Sequence, residues 1–372
     1  MKKINAAFII FVTTLFCWSC TKQVTSYVPV ETPFAYPTTY NFQGVNYANQ
    51  TTILAMTDEI MSAIDQGNTQ GIVVDSAKLR AMFNNTGSNF SSAALNNSGL
   101  NLASLCNIPA GAQTYILQSM DSIGAFSHSV VPGSDGVTGV GVSTTEPGVS
   151  YLQRSDGFVY RELVKTSIME GILAYQIQTI LKDSINTSVA LAPTLATNWD
   201  AAFGYFDVPT GFPTDTTGSN YWGRYSKNLS AALGLDTTIM NNFLIGRAAI
   251  NNGYILASNA VPTTVNYAAI QDANNIIGAF DRLVVGAAIH ELTEAQVKDS
   301  LADPVVARAY LSSSWGFIHS LNYSVDLANP GQINSILATY GTDLYNFNYS
   351  YQHVDSIKTV IGNLYGFTNT AF

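Results

Sequence analysis

His290 and Glu294 stand four residues apart in a stretch of helical periodicity, so their side chains meet on one helix face. Imidazole with carboxylate suits a divalent or ferric ion, provided a third ligand arrives from another helix. Glu170 is the candidate for that third position. It sits between Ile168-Met169 and Gly171-Ile172-Leu173, where a buried carboxylate must be paired, neutralised or bound to a metal. Arg161 and Arg247 are the cations that could pair it. The competing reading makes His290 a hydrogen-bonded helix histidine beside a solvated Glu294, and Glu170 half of a structural salt bridge. His290-Glu291 also opens like a zinc-peptidase motif, but Thr293 and Glu294 follow where a second histidine is required, which argues against that chemistry.

Other reactive residue types read as structural. His128, His319 and His353 each stand alone, and no Cys-x-x-Cys-His haem attachment motif is present. His319 follows Trp315-Gly316-Phe317-Ile318, the setting of a satisfied core histidine. Cys106 reads as a small buried hydrophobe. Asp200, beside Trp199, reads as a capping or loop-tying residue. Gly139-Val140-Gly141 lacks the third glycine of a dinucleotide fingerprint, and residues 131–150 read as a flexible surface loop. No Gly-x-Ser-x-Gly elbow and no phosphate loop occurs. Phe203, Tyr205, Phe206, Phe212, Tyr221, Trp222 and Tyr225 have the types to stack on a sugar or a porphyrin, but such clusters more often pack the core under a loop.

The N-terminus carries a different kind of chemistry. Lys2 and Lys3 precede an apolar stretch from Ile4 to Phe16, the pattern of a secretory signal and too short for the roughly 20 residues of a membrane span. It ends in Cys17-Trp18-Ser19-Cys20, which resembles a bacterial lipobox. Cleavage before Cys20 and acylation of its thiol are expected, giving a signal over residues 1–19, a tether over 20–35 and a folded domain over 36–372. The alternative is an ordinary signal with Cys20 incidental. Thr21 is not the aspartate associated with inner-membrane retention, so an outer-membrane location, held through the lipid, is expected. Only 11% of residues are charged and the net charge is −9, against roughly 25% charged in an average domain. A surface so poor in Lys and Arg argues against nucleic acid.

The elements that must position these residues are helical. Spacings of three and four predict helices from Thr51 through Ile64, from an Asp75 cap through Met82, and over Ala112–Phe126. Longer ones are predicted over residues 157–185, 198–206, 236–251 (capped by Asp236) and 268–301. Pro304 behind Asp303 starts another through Leu321, the first-turn position proline favours, and two more fit 331–340 and 352–365. Residues 210–226 read as an aromatic loop. The expectation is an all-α helical bundle. A repeated order of motifs, Gly171, Lys182-Asp183-Ser184-Ile185 and Phe203-Gly204-Tyr205 against Gly286, Lys298-Asp299-Ser300-Leu301 and Trp315-Gly316-Phe317, fits two related helical halves as well as it fits chance similarity between amphipathic helix pairs.

The segment Tyr36-Pro37-Thr38-Thr39-Tyr40-Asn41-Phe42 resembles the opening of the family called domain of unknown function 4856 (DUF4856), lipoproteins typical of Bacteroidota. The likeness continues through Trp199-Asp200-Ala201-Ala202-Phe203-Gly204-Tyr205-Phe206, Trp222-Gly223-Arg224-Tyr225 and Gly246-Arg247-Ala248-Ala249-Ile250-Asn251-Asn252. The resemblance implies an imelysin-like helical architecture and an association with iron or haem acquisition at the outer membrane. The imelysin motif Gly-x-His-x-x-Glu has its nearest counterpart in Gly286, His290 and Glu294, with both spacings longer here. The expected function is non-enzymatic capture or hand-over of iron or haem, with a TonB-dependent receptor as partner. The alternative is a lipid-anchored scaffold for a receptor or polysaccharide-binding complex with no ligand of its own.

Overall fold

The computed structural model describes residues 34–186, 192–252, 264–325 and 330–367. Cys20 and the segments expected to be signal and most of the tether lie outside them. The described chain forms α1 (Ala48–Asp65), α2 (Ser76–Phe83), α3 (Ala93–Asn96), α4 (Ala112–Phe126), a hairpin of β1 (Gly139–Val142) and β2 (Ser150–Gln153), and α5 (Tyr160–Ile168). A π-helical turn, Met169–Ala174, joins α5 to α6 (Tyr175–Asn186). Then follow α7 (Ala192–Tyr205), α8 (Tyr221–Asn228), α9 (Ser230–Leu233), α10 (Leu235–Asn251), α11 (Thr264–Ser300), α12 (Pro304–Ser320), α13 (Pro330–Thr339) and α14 (Tyr351–Leu364). The fold is an all-α bundle with one small antiparallel hairpin. No described helix is long and apolar enough to cross a membrane.

The 37-residue α11 is the axis, about 55 Å long at the usual helical rise. Between Ala273 and Ala295 it buries Ile276, Phe280, Leu283, Val284, Ala287, Ala288, Ile289 and Leu292. That is more than one stripe, because α10, α12, α6 and α14 pack around it and a helix enclosed on several sides must be apolar on several sides. Small residues allow the close approaches. A Cβ on Gly246 would stand 2.1 Å from Trp199 Cζ2, and one on Gly316 would stand 2.3 Å from Thr166 Oγ1. Trp199 is fixed there by donating Nε1–H to the Phe243 carbonyl at 2.9 Å.

Local signals placed several helix ends correctly. Asp75 accepts from the Lys78 amide at 3.1 Å, and Asp303 caps α12 through the Val306 amide with Pro304 in the first turn. Asp236 does not cap α10. Gly234 holds the cap position in a left-handed conformation, and Asp236 lies inside the first turn, where a carboxylate favours the positive end of the helix dipole. Residues 210–226 are not wholly loop, because α8 begins at Tyr221.

The segment 131–150 is also not a free loop, since β1 pairs with β2 in the register Val140↔Leu152. Its glycines allow this: a Cβ on Gly139 would fall 2.0 Å from the Val131 carbonyl oxygen. The buried Gln153 then ties the hairpin to α12, donating to the Val305 carbonyl at 3.2 Å and accepting from Arg308 at 3.1 Å. The repeated motifs fall on two helix pairs, α6 with α7 and α11 with α12, and within each pair the helices pack on each other.

Candidate functional site

The apolar stripe of α1, Met56, Ile60 and Ile64, is buried in the core. The opposite stripe, Asp58, Ser62 and Asp65, lines a cleft of about 550 Å³, within the range of small-molecule sites. Across it, α8 presents Tyr221, Arg224, Tyr225 and Asn228, spaced as one helix face. The floor carries Arg161, Glu162 and Lys165 from α5 and His290 and Glu291 from α11, and Tyr310 of α12 and Tyr151 of β2 close it. The chain has only 16 basic and 25 acidic residues, yet three and four of them line this one cleft.

Its two buried carboxylates are held in different states. Glu162 receives Arg161 Nη1 at 2.7 Å and Lys165 Nζ at 2.8 Å. Burial works against its ionisation, but the two cations override that and hold it down to about 2. Arg161 also donates Nε–H to Asp65 at 2.8 Å. Glu291 is raised above the ordinary glutamate range by burial, with the Glu162 charge adding to it, against the pull of Lys165, His290 and a hydrogen bond from Tyr225 Oη at 2.6 Å. Neighbouring carboxylates whose environments push their ionisation apart divide into a fixed anion and a group that holds its proton more readily.

At the far end Tyr221 donates to Asp58 at 2.8 Å. Asp207 is pushed up to about 7 by burial and by the Asp58 charge. Tyr221 and Asp207 both have positive φ, 40° and 60°, a strained conformation for side chains of their size. Gly223 permits the crossing, since a Cβ there would meet the Asp207 carbonyl oxygen at 2.5 Å. Arg224 is exposed at the rim, and among the described residues its guanidinium has no carboxylate partner.

The residues singled out by sequence are separated. His290 lines the cleft; Glu294, half-buried, is not among the lining residues. Glu170 is fully buried, and the charged group acting on it is Asp281. Neither proposed cation reaches it: Arg161 is engaged with Asp65 and Glu162, and Arg247 with Asp200. Among the described residues no group of three or more His, Cys, Asp and Glu is arranged to hold a metal ion.

Asp200 ties the chain together, accepting from Arg247 Nε at 2.7 Å and from Tyr40 Oη at 2.9 Å. His319 stacks on Trp315 at 5.0 Å, and burial lowers it to about 4. Burial pushes the Cys106 thiol up to about 12, so it is inert at neutral pH. His128 is exposed and His353 packs on Phe347. Of the aromatic cluster, Phe203, Phe206, Phe212 and Trp222 are core, whereas Tyr221 and Tyr225 face the cleft.

Glu162, Lys165, Arg224, Glu291 and Asp58 were missed as site residues. The available signal was charge density: Arg161, Glu162 and Lys165 fall within five residues of a chain that otherwise avoids charge. Comparison with curated proteins and with solved structures gives no match. The family described as "Domain of unknown function (DUF4856)" matches residues 37–368, nearly the whole chain, and the protein belongs to it.

Proposed function

We propose that this chain is a lipid-anchored, non-enzymatic capture protein of the outer membrane with an accessory role in iron acquisition, and that the cleft between α1, α5, α8 and α11 holds its ligand. The observation that carries this reading is the concentration of paired charges, tyrosine hydroxyls and one arginine without a carboxylate partner among the described residues in a single cleft of a charge-poor protein. Arg224 offers a planar fork to a carboxylate, and Tyr221, Tyr225 and Tyr310 supply hydroxyls on flat apolar rings. A small molecule bearing carboxylate and hydroxyl groups suits such a lining.

This narrows the form in which iron would arrive. Haem suits the cleft poorly, because a porphyrin needs broad apolar walls and these walls are largely Asp, Glu, Arg, Asn and Tyr. A bare ferric ion lacks its cluster of three ligands among the described residues. A small anionic ferric chelate, such as a hydroxycarboxylate complex, meets both conditions. The lipobox-like Cys17-Trp18-Ser19-Cys20 supports a membrane tether from which the chelate would pass to a TonB-dependent receptor.

Thermal-shift measurements on the mature domain with ferric citrate, citrate alone, haem and acidic oligosaccharides test the reading. A saturable rise with the chelate supports it, and no response to any ligand abandons capture. The scaffold alternative draws on a separate observation. Val130, Val131, Val137 and Val142, in and beside the hairpin, are 40–71% exposed, and clustered exposed apolar side chains mark partner surfaces.

A further inference from the structure

A second depression lies at the N-terminal end of α1, about two helical turns before Asp58 of the cleft. It is a groove of about 580 Å³ between residues 40–47, the first turn of α1 and Thr210. Tyr40, Phe42 and Tyr47 shape it. Tyr40 is fixed at its base, stacked on Phe203 at 3.7 Å. Its hydroxyl donates to Asp200 at 2.9 Å and its amide to the Thr210 carbonyl at 2.8 Å. Phe42 meets Tyr40 edge-on at 5.2 Å, and the buried Arg247 guanidinium packs 5.4 Å from its ring centroid. Tyr47 stands edge-on to Phe203 at 5.6 Å. Phe42 and Tyr47 are only half-buried, so both keep apolar ring surface open to the groove. Around them Asn41, Gln43, Asn46 and Thr51 are exposed. Asn46 commits its carbonyl oxygen to the Ala48 amide at 3.1 Å, which turns its NH2 group outward. Among the described residues that line the groove, none is charged.

We propose that this groove binds a neutral oligosaccharide, stacking sugar rings on Phe42 and Tyr47 and holding their hydroxyls through Asn41, Gln43 and Asn46. A pyranose carries apolar C–H faces and a rim of hydroxyls. The faces rest on flat apolar rings. Each hydroxyl is donor and acceptor at once, and a side-chain amide carries both complements. The first turn of α1 adds donors, since Tyr47 provides no side-chain cap and the first amides of a helix lie outside its own ladder. A charged ligand finds no counter-charge here, whereas the cleft supplies Arg161, Lys165 and Arg224. The two sites therefore divide by ligand charge, and the groove works whatever the cleft holds. Its rings are fixed by buried partners before any sugar arrives, which lowers the ordering cost of binding.

The test titrates the full mature chain with linear hexasaccharides of glucose, xylose and mannose, and with oligogalacturonate as the acidic control, by calorimetry and ligand-observed NMR. Saturable binding of at least one neutral hexasaccharide is expected, with a dissociation constant of about 1 mM or below. Phe42→Ala should weaken it about tenfold through the lost ring. Gln43→Ala, at an exposed position, should weaken it about fivefold through a lost hydrogen bond, with an unchanged melting midpoint. Arg224→Ala at the cleft should bind the neutral sugar as wild type does, so failure of the cleft reading and failure of this one are distinguishable. Failure of all three neutral hexasaccharides to bind overturns the proposal. So does neutral-sugar binding that Phe42→Ala and Gln43→Ala both leave unchanged. Binding confined to oligogalacturonate and lost in Arg224→Ala places the sugar in the cleft and likewise overturns it.

Discussion

Tyr225 on α8 donates its phenol proton to Glu291 Oε1 on α11 at 2.6 Å, joining a wall of the cleft to its floor through a carboxylate that burial drives toward the neutral form. The bond aims the Glu291 carboxyl, and Lys165, 5.8 Å from the Tyr225 ring centroid, faces the same pair. The cleft is therefore organised before any ligand enters it, which reduces the ordering cost of binding.

Glu291 has a folded-state value above the ordinary 4.5, burial being the main cause. The native state thus favours its proton, and wild type loses stability as pH rises from 4.5 through that raised value. Glu291→Gln removes this loss. Melting midpoints from acidic to neutral pH should move in the variant's favour as pH rises, and a constant offset would contradict the assignment.

Glu162 behaves in the opposite sense. Its folded value falls from 4.5 to about 2 because Lys165 and Arg161 outweigh burial. The stability it contributes is present above 4.5 and is lost as pH falls toward 2. Glu162→Gln should cost on the order of 3 kcal/mol at neutral pH, a deficit that closes in acid and is read by denaturant titration at several pH values.

Asp200 and Arg247 form a buried ion pair, with side chains 2% and 3% exposed, on which Tyr40 also rests. Arg247→Met strands the carboxylate and should cost about 3–5 kcal/mol. Adding Asp200→Asn removes the stranded charge and should recover much of that. Urea unfolding of the two singles and the double gives the coupling, and strict additivity would refute it.

Gly246→Ala is expected to be among the most disruptive small changes, because its Cβ would lie 2.1 Å from Trp199 Cζ2 and Trp199 is held by its bond to Phe243. A loss of about 3 kcal/mol is expected from overpacking. Trp199→Phe, with a smaller ring, should rescue part of it in the same unfolding assay.

What the sequence made legible was chiefly local. Asp75, Asp303 and Pro304 act on amides within one turn, so their roles can be read from neighbours alone. The buried stripe Met56, Ile60 and Ile64 needed only a helical period. Less was legible where the cause is tertiary. The π turn at Glu170 has no composition signal. The β1–β2 pairing depends on backbone approach at Gly139, and Gly-Val alternation reads equally as loop. The cleft gathers residues from six elements, and its main anion, Glu162, becomes recognisable only once Lys165 and Arg161 are seen on either side of it. Reading His290 with Glu294 favoured helical spacing, whereas Glu291, one residue away, is the carboxylate that joins His290 at the cleft.

Cys20→Ala tests the placement of the protein. Unlike wild type, the variant should leave the membrane fraction and carry no fatty acid by mass spectrometry. An acylated variant, or a wild type with a free thiol, would remove the basis for an anchored function.

Isothermal titration of the mature wild-type domain with ferric citrate, beside Arg224→Ala at the rim, tests the central claim most directly. Saturable binding at one site is predicted for wild type, weakened about tenfold or more in the variant through loss of a charge-assisted hydrogen bond, with both proteins melting at the same temperature. No heat of binding in wild type, or equal binding in the two proteins, would contradict it.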